Sequence, residues 1–259
     1  MKLVILIFTL CIFVSCSNTE STVIENDCNV IEKQFLISEI KKNLNILSKP
    51  FFSEEEYRYE IALATVDMIV DLVNKYDADL NEFDGLYLDA SIEGKLSIYN
   101  FSLGSLCTSS TDFPIVVWKT ASSHKAQKLD WDENISSVHE LDTVQALYLV
   151  LTSSKLSGSE YIGTAHTLQI HDDTINFSHS VFDGHPYMSV YNGFFSYDEQ
   201  TGTLVCKLYE DTALAESWKF EAYKDNTYPD SDYTNITRID SGTQCFSLKF
   251  DGEAFRPNR

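Results

Sequence analysis

The chain has 259 residues, enough to bury a core unaided, and its 44% hydrophobic and 13% aromatic content excludes a disordered or low-complexity protein. Acidic residues number 39 against 19 basic ones, a formal net charge of −20. A surface of that sign repels phosphate backbones, which excludes nucleic acid as a partner. It also repels anionic headgroups, so membrane attachment needs something other than a basic patch.

Met1-Lys2 is a short basic start, and Leu3 to Val14 is an apolar run of twelve residues. That length suits the apolar region of a signal peptide and is too short to cross a bilayer as a helix. Phe13-Val14-Ser15-Cys16 ends the run and resembles the lipobox of bacterial lipoproteins, with Phe13 where Leu is preferred. The resemblance implies a signal peptide over residues 1–15 and thioether lipidation of Cys16. The alternative is ordinary secretory cleavage nearby, with Cys16 incidental. Residues 16–26 are polar and read as a tether. The expected address is the cell envelope, at the outer or inner membrane.

Export sets the redox context. Beyond Cys11 and Cys16, four cysteines remain, Cys28, Cys107, Cys206 and Cys245, which allow three connectivities. Cys206 and Cys245 both lie in late strand-like segments and are the expected pair if one forms; buried free thiols are the other reading. No Cys-x-x-Cys occurs, which gives no support to a redox motif or a zinc knuckle.

Over 27–77 the apolar spacing predicts a helical hairpin. Val30, Ile31, Phe35, Ile37, Ile40, Leu44 and Leu47 form one stripe, ended by Pro50. Ser53 and Glu56 make a capping box for a second helix, with Tyr57, Ile61, Ala64, Met68, Leu72 and Tyr76 on one side. From 85 to 256 the period changes to two. Strands are expected at 86–88, 95–101, 114–119, 144–151, 161–170, 174–182, 187–191, 203–209, 218–223 and 244–250, with 138–141 uncertain. Asp172-Asp173, Asp183-Gly184 and Asp251-Gly252 are turn dipeptides between them. The fold class is therefore α+β: a helical hairpin followed by a mainly antiparallel sandwich or barrel. A small propeller fits less well, because the three Phe-Asp-Gly triplets share no blade-sized period.

Glu93-Gly-Lys-Leu-Ser-Ile-Tyr99, Ala146-Leu-Tyr-Leu-Val-Leu-Thr-Ser153, the segment Phe195 to Leu204 and Phe250-Asp-Gly-Glu-Ala-Phe255 together resemble uncharacterised cell-envelope lipoproteins of Bacteroidetes-type bacteria. The resemblance implies a helical N-terminal part, a β-rich C-terminal part and an envelope address. It implies no activity. After Tyr99 the chain departs from the pattern with Asn100-Phe-Ser-Leu-Gly.

Candidate chemistry starts with histidine. If Asp172-Asp173 turns a hairpin, continuing its register sets His166 opposite His179, close enough to share a transition metal, with His185 or Asp183 as third ligand. The competing reading is a pair of neutral, hydrogen-bonded histidines ending an apolar face; no cofactor is expected. The acidic segments Asp130 to Asn134 and Asp225 to Asp232 lack the spacing of a calcium loop and read as solvated loops. Trp118, Trp131 and Trp218 offer a sugar-stacking platform, against the reading that strand aromatics are core. Asp142-Thr143-Val, Asp173-Thr174-Ile and Asp211-Thr212-Ala look like O-glycosylation signals of Bacteroidetes exported proteins. None of the common nucleophile-elbow, phosphate-loop, dinucleotide or zinc-protease motifs occurs. The expected function is a non-catalytic binding or interaction lipoprotein, its partner a glycan or an envelope protein. The alternative is an envelope hydrolase cutting carbohydrate with paired carboxylates.

Overall fold

The computed structural model describes residues 21–49, 55–103, 111–131, 133–157, 160–191, 193–208 and 245–257. Two antiparallel helices, α1 (Ser21–Leu47) and α2 (Glu55–Tyr76), lead into a 3-10 turn at Leu80–Glu82. Strands β1 (Tyr87–Ile92), β2 (Leu96–Asn100), β5 (Ile115–Lys119) and β6 (His124–Lys128) form the first sheet, in that order. Between β2 and β5 lies a two-stranded ladder of β3 (Ser102–Leu103) and β4 (Thr111–Asp112). The second sheet holds β7 (Asn134–Asp142), β8 (Leu147–Ser157) and β9 (Glu160–His171), with β10 (Thr174–Asn176) and β11 (Tyr187–Tyr191) both pairing with β9. The third runs β12 (Gly193–Asp198), β13 (Thr203–Leu208), β14 (Cys245–Phe250) and β15 (Phe255–Pro257). Every ladder is antiparallel and the sheets are open rather than closed into a barrel, so the α+β expectation holds in its layered form.

Alternation along each strand stacks these units into four layers. In β5, Ile115 and Val117 face the helices, with Leu44, Ala62, Val66 and Ile69 in one buried cluster. Val116 and Trp118 face the other way, clustering with Val138, Tyr148 and Val150 of the second sheet. In β8, Leu147, Leu149 and Leu151 point to the third sheet, against Phe195, Leu204 and Phe255. Strands buried on both faces read as continuous apolar runs rather than as alternating ones.

The helices dock by named contacts. Asn74 donates from Nδ2 to the Ala126 carbonyl at 3.0 Å and accepts the Ala126 N–H at 2.8 Å, so its amide caps the edge strand β6 as a further strand would. The buried Arg58 donates to the Leu47 carbonyl and so satisfies the end of α1. The helix α1 begins at Ser21, inside the expected tether. Its buried stripe is Leu36, Ile40, Leu44 and Leu47, whereas Val30, Ile31 and Phe35 are exposed. For Val30 and Ile31 the reason is length: Lys75, in the last turn of α2, pairs with Glu32 at 3.5 Å, so α1 has no helical neighbour before that point. In α2 the buried face is Ala62, Thr65, Val66, Ile69, Leu72 and Val73, rotated by about one residue from the expected one, and Tyr57 is 59% exposed. The expected Ser53 cap and the strand at 218–223 lie outside the described residues.

The second and third sheets meet at close range. A Cβ added to Gly163 of β9 would lie 2.7 Å from the Gly193 carbonyl oxygen and 2.9 Å from the Phe194 Cα, both of β12. Both contacts are backbone, which cannot swing aside. Gly163→Ala is expected to cost about 1–3 kcal/mol of unfolding free energy by overpacking. Equilibrium urea unfolding checks this, and a cost below about 0.5 kcal/mol would show that the two sheets can slide apart there.

Candidate functional site

A polar cluster lies on the second sheet, beyond the apolar side chains that pack against the first. On that face β8 carries Tyr148, Val150 and Thr152, and β9 carries Leu168, His166 and Thr164. Apolar side chains thus give way to two buried threonines and a histidine. Strand β11 extends the surface, with Tyr187 opposite His166 and Ser189 opposite Thr164. The connection from β6 to β7 crosses this end and lays Trp131 and Glu133 onto it.

Glu133 is the hub. Its Oε2 takes a hydrogen bond from His166 Nε2 at 3.0 Å and a second, short one from the Thr152 hydroxyl. Its Oε1 accepts from Thr164 Oγ1 at 3.1 Å, and Thr164 Oγ1 lies 3.2 Å from Ser189 Oγ. Burial alone would push the Glu133 carboxyl up, but hydrogen bonding and charge attraction to His166, with the two threonine hydroxyls, hold it below the ordinary glutamate value. It is therefore ionised at neutral pH. The indole of Trp131 stacks on the His166 ring with centroids 4.1 Å apart and planes at 13°, and Phe177 meets Trp131 edge-on at 5.8 Å. The Tyr187 ring lies 5.9 Å from the imidazole, centroid to centroid and tilted by 37°, and remains 36% exposed.

The geometry divides the expected site residues. His166 belongs to the cluster, but its cross-strand neighbour is Tyr187, not His179. The Asp172-Asp173 turn forms as expected, with His171 opposite Thr174 and Ile170 opposite Ile175, yet the ladder ends at Asn176. Beyond it the His179 carbonyl accepts from Thr167 Oγ1, so the segment expected as strand to 182 leaves the register that would have brought His179 over His166. Among the described residues no group of three metal-ligating side chains occurs. Asp183 is in a turn with positive φ, and His185 forms a bridge with Phe182.

Other expected residues fall elsewhere. The ladder sets Cys206 opposite Phe246 and Cys245 opposite Lys207, one residue out of step. Cys206 is buried in the core between the second and third sheets. Thr143 sits exposed in a turn whose first residue, Asp142, accepts the Val144 and Gln145 N–H groups. Thr174 is exposed as well, but its hydroxyl donates to the His171 carbonyl at 3.2 Å. Cys16, Thr212 and Trp218 lie outside the described residues. Of the other two tryptophans, Trp118 is core and Trp131 is in the site. Glu133 escaped the sequence reading because it stands in an acidic run that resembles a solvated loop. The available signal was Trp131 two residues away, an apolar ring in an otherwise charged segment.

No family model matches the chain, and it has no match among curated proteins or solved structures.

Proposed function

We propose that this is a lipid-anchored protein of the bacterial cell envelope that works by binding, with the open end of the central sheet as its contact surface and a glycan or a partner protein as its ligand. The observation that carries the reading is the ring assembly there: Trp131 stacked on His166, with Tyr187 alongside and still exposed. Rigid aromatic rings beside fixed polar groups suit a contact surface, because little side-chain entropy is left to lose on binding. The anchor rests on the lipobox-like Cys16 and the apolar run before it. Among the described residues no helix is long and apolar enough to cross a membrane.

Binding is favoured over carbohydrate hydrolysis by the state of Glu133. Hydrolysis needs one carboxylic acid kept protonated and a second carboxylate across the bond. Glu133, held ionised, does not supply the protonated acid, and its own hydrogen-bond partners are an imidazole and two hydroxyls rather than a second carboxyl group.

A thermal-shift screen of the mature chain against glycans tests the surface. A ligand at a hundred times its dissociation constant adds about 2.7 kcal/mol, and that shift is expected in the native chain and absent in Trp131→Ala/Tyr187→Ala. A ligand shift that survives the double substitution would move the binding surface elsewhere.

A further inference from the structure

Among the described residues, three of the large apolar side chains that stay exposed fall within six positions of one helix: Val30, Ile31 and Phe35 of α1, with Ile31 at 66%. Exposed apolar residues scattered singly are ordinary, but a cluster asks what covers it. Successive helical residues point about 100° apart. Ile31 and Phe35, four positions apart, therefore share one side of α1, and the buried stripe of Leu36, Ile40, Leu44 and Leu47 lies on the other.

Two observations point to the occupant. The first is reach. Four residues separate Cys16 from the start of α1 at Ser21, and the five Cα steps between them span at most about 18 Å. Ile31 lies a further ~15 Å along the helix. A bilayer holding Cys16 is thus kept beside this face at an effective concentration on the order of millimolar, where weak apolar contact suffices. The second is charge. Residues 21–49 carry four acids and four lysines, so the −20 of the chain lies entirely outside them. The α1 segment therefore meets a headgroup layer without the repulsion that the rest of this acidic chain brings. Eight charged residues also suit a helix that lies along a membrane surface rather than one that crosses it.

We infer that Val30, Ile31 and Phe35 form a membrane-contact face, seated among the phospholipid headgroups of the bilayer that holds Cys16, with α1 lying along that surface. The inference rests on the lipid anchor proposed above and deepens it. An anchor alone fixes where the chain is attached. Contact along α1 also fixes which side of the protein turns away from the membrane.

The test uses the mature chain in phosphatidylcholine vesicles whose acyl chains carry bromine, a contact quencher of indole fluorescence. Mass spectrometry of the mature chain comes first, and acyl groups on Cys16 are expected. A chain without them overturns the anchor and this inference with it. In the acylated chain, the fluorescence added by Ile31→Trp is expected to fall by about half or more when brominated lipid replaces plain lipid. Val144→Trp is the control. Its position is 95% exposed in the turn between β7 and β8, and the first sheet stands between the second sheet and the helices. The indole there is expected to stay unquenched. Equal quenching at the two positions, or none at position 31, overturns the inference and leaves the anchor standing. A dimer in analytical ultracentrifugation, with no quenching at position 31, gives the face to a second copy of the chain and overturns it as well.

Discussion

Glu133→Ala is expected to lower the unfolding free energy by about 3 kcal/mol, a large effect for one partly exposed side chain. The reason is what stays behind. Thr164, 1% exposed, and the His166 N–H would lose this acceptor, and Thr152, 3% exposed, would keep only its longer bond to the Thr164 carbonyl at 3.3 Å. The sign of the pH dependence follows from the depressed carboxyl. Its folded-state value lies below the unfolded value of about 4.5, so its stabilisation is complete above that value. It is lost as pH falls through the folded-state value. Glu133→Gln removes the charge but keeps the shape. Its deficit against the native chain should therefore be largest at pH 7 and shrink as pH falls below about 4.5. Urea midpoints at pH 7 and pH 3.5 check both statements. A Glu133→Gln deficit that is the same at both pH values would refute the ionised-hub description.

Trp118→Ala is the second large effect, expected at about 4 kcal/mol. The side chain is 2% exposed between the first and second sheets, and its Nε1 donates to the Asp172 carbonyl at 2.9 Å. One residue thus fills the core and ties the tip of the β9–β10 hairpin to the sheet below it. Trp118→Phe separates the roles: much of the volume stays, the hydrogen bond goes, and about 1–2 kcal/mol should be lost. Denaturant unfolding with an unchanged m-value is the expected readout for both. If Trp118→Ala cost less than 1 kcal/mol, the layer contact drawn from its burial would be wrong.

Much of the layered fold was legible in the sequence, because a strand buried on both faces reads as a short continuous apolar run. Ile115 to Trp118 and Leu147 to Leu151 announced strands by apolar continuity alone. The helix faces were less legible. Counting tyrosines as core placed Tyr57 inside, whereas the face that packs is Ala62, Thr65, Val66 and Ile69, where small and β-branched side chains let the helix come close to the sheet. Strand β6 went unread because His124 to Lys128 holds one apolar residue, Ala126; its place as an edge is set by Asn74, 52 residues earlier. The site was hidden for a similar reason. His166 was visible, but its partner depends on a connection folding back across the sheet, and no periodicity records that.

The four layers are laid down in chain order, helices first and the β12–β15 sheet last. A ribosome or translocation channel releases the chain in that same direction, so the nascent protein resembles a stack to which sheets are added one at a time. Each addition hides one greasy face and presents another, and the Leu147, Leu149 and Leu151 surface is the last to be roofed. Its roof is completed by β14 and β15, from the final thirteen described positions. A chain cut short near its end would therefore expose its stickiest layer, and quality control in the compartment where it folds would meet that surface first.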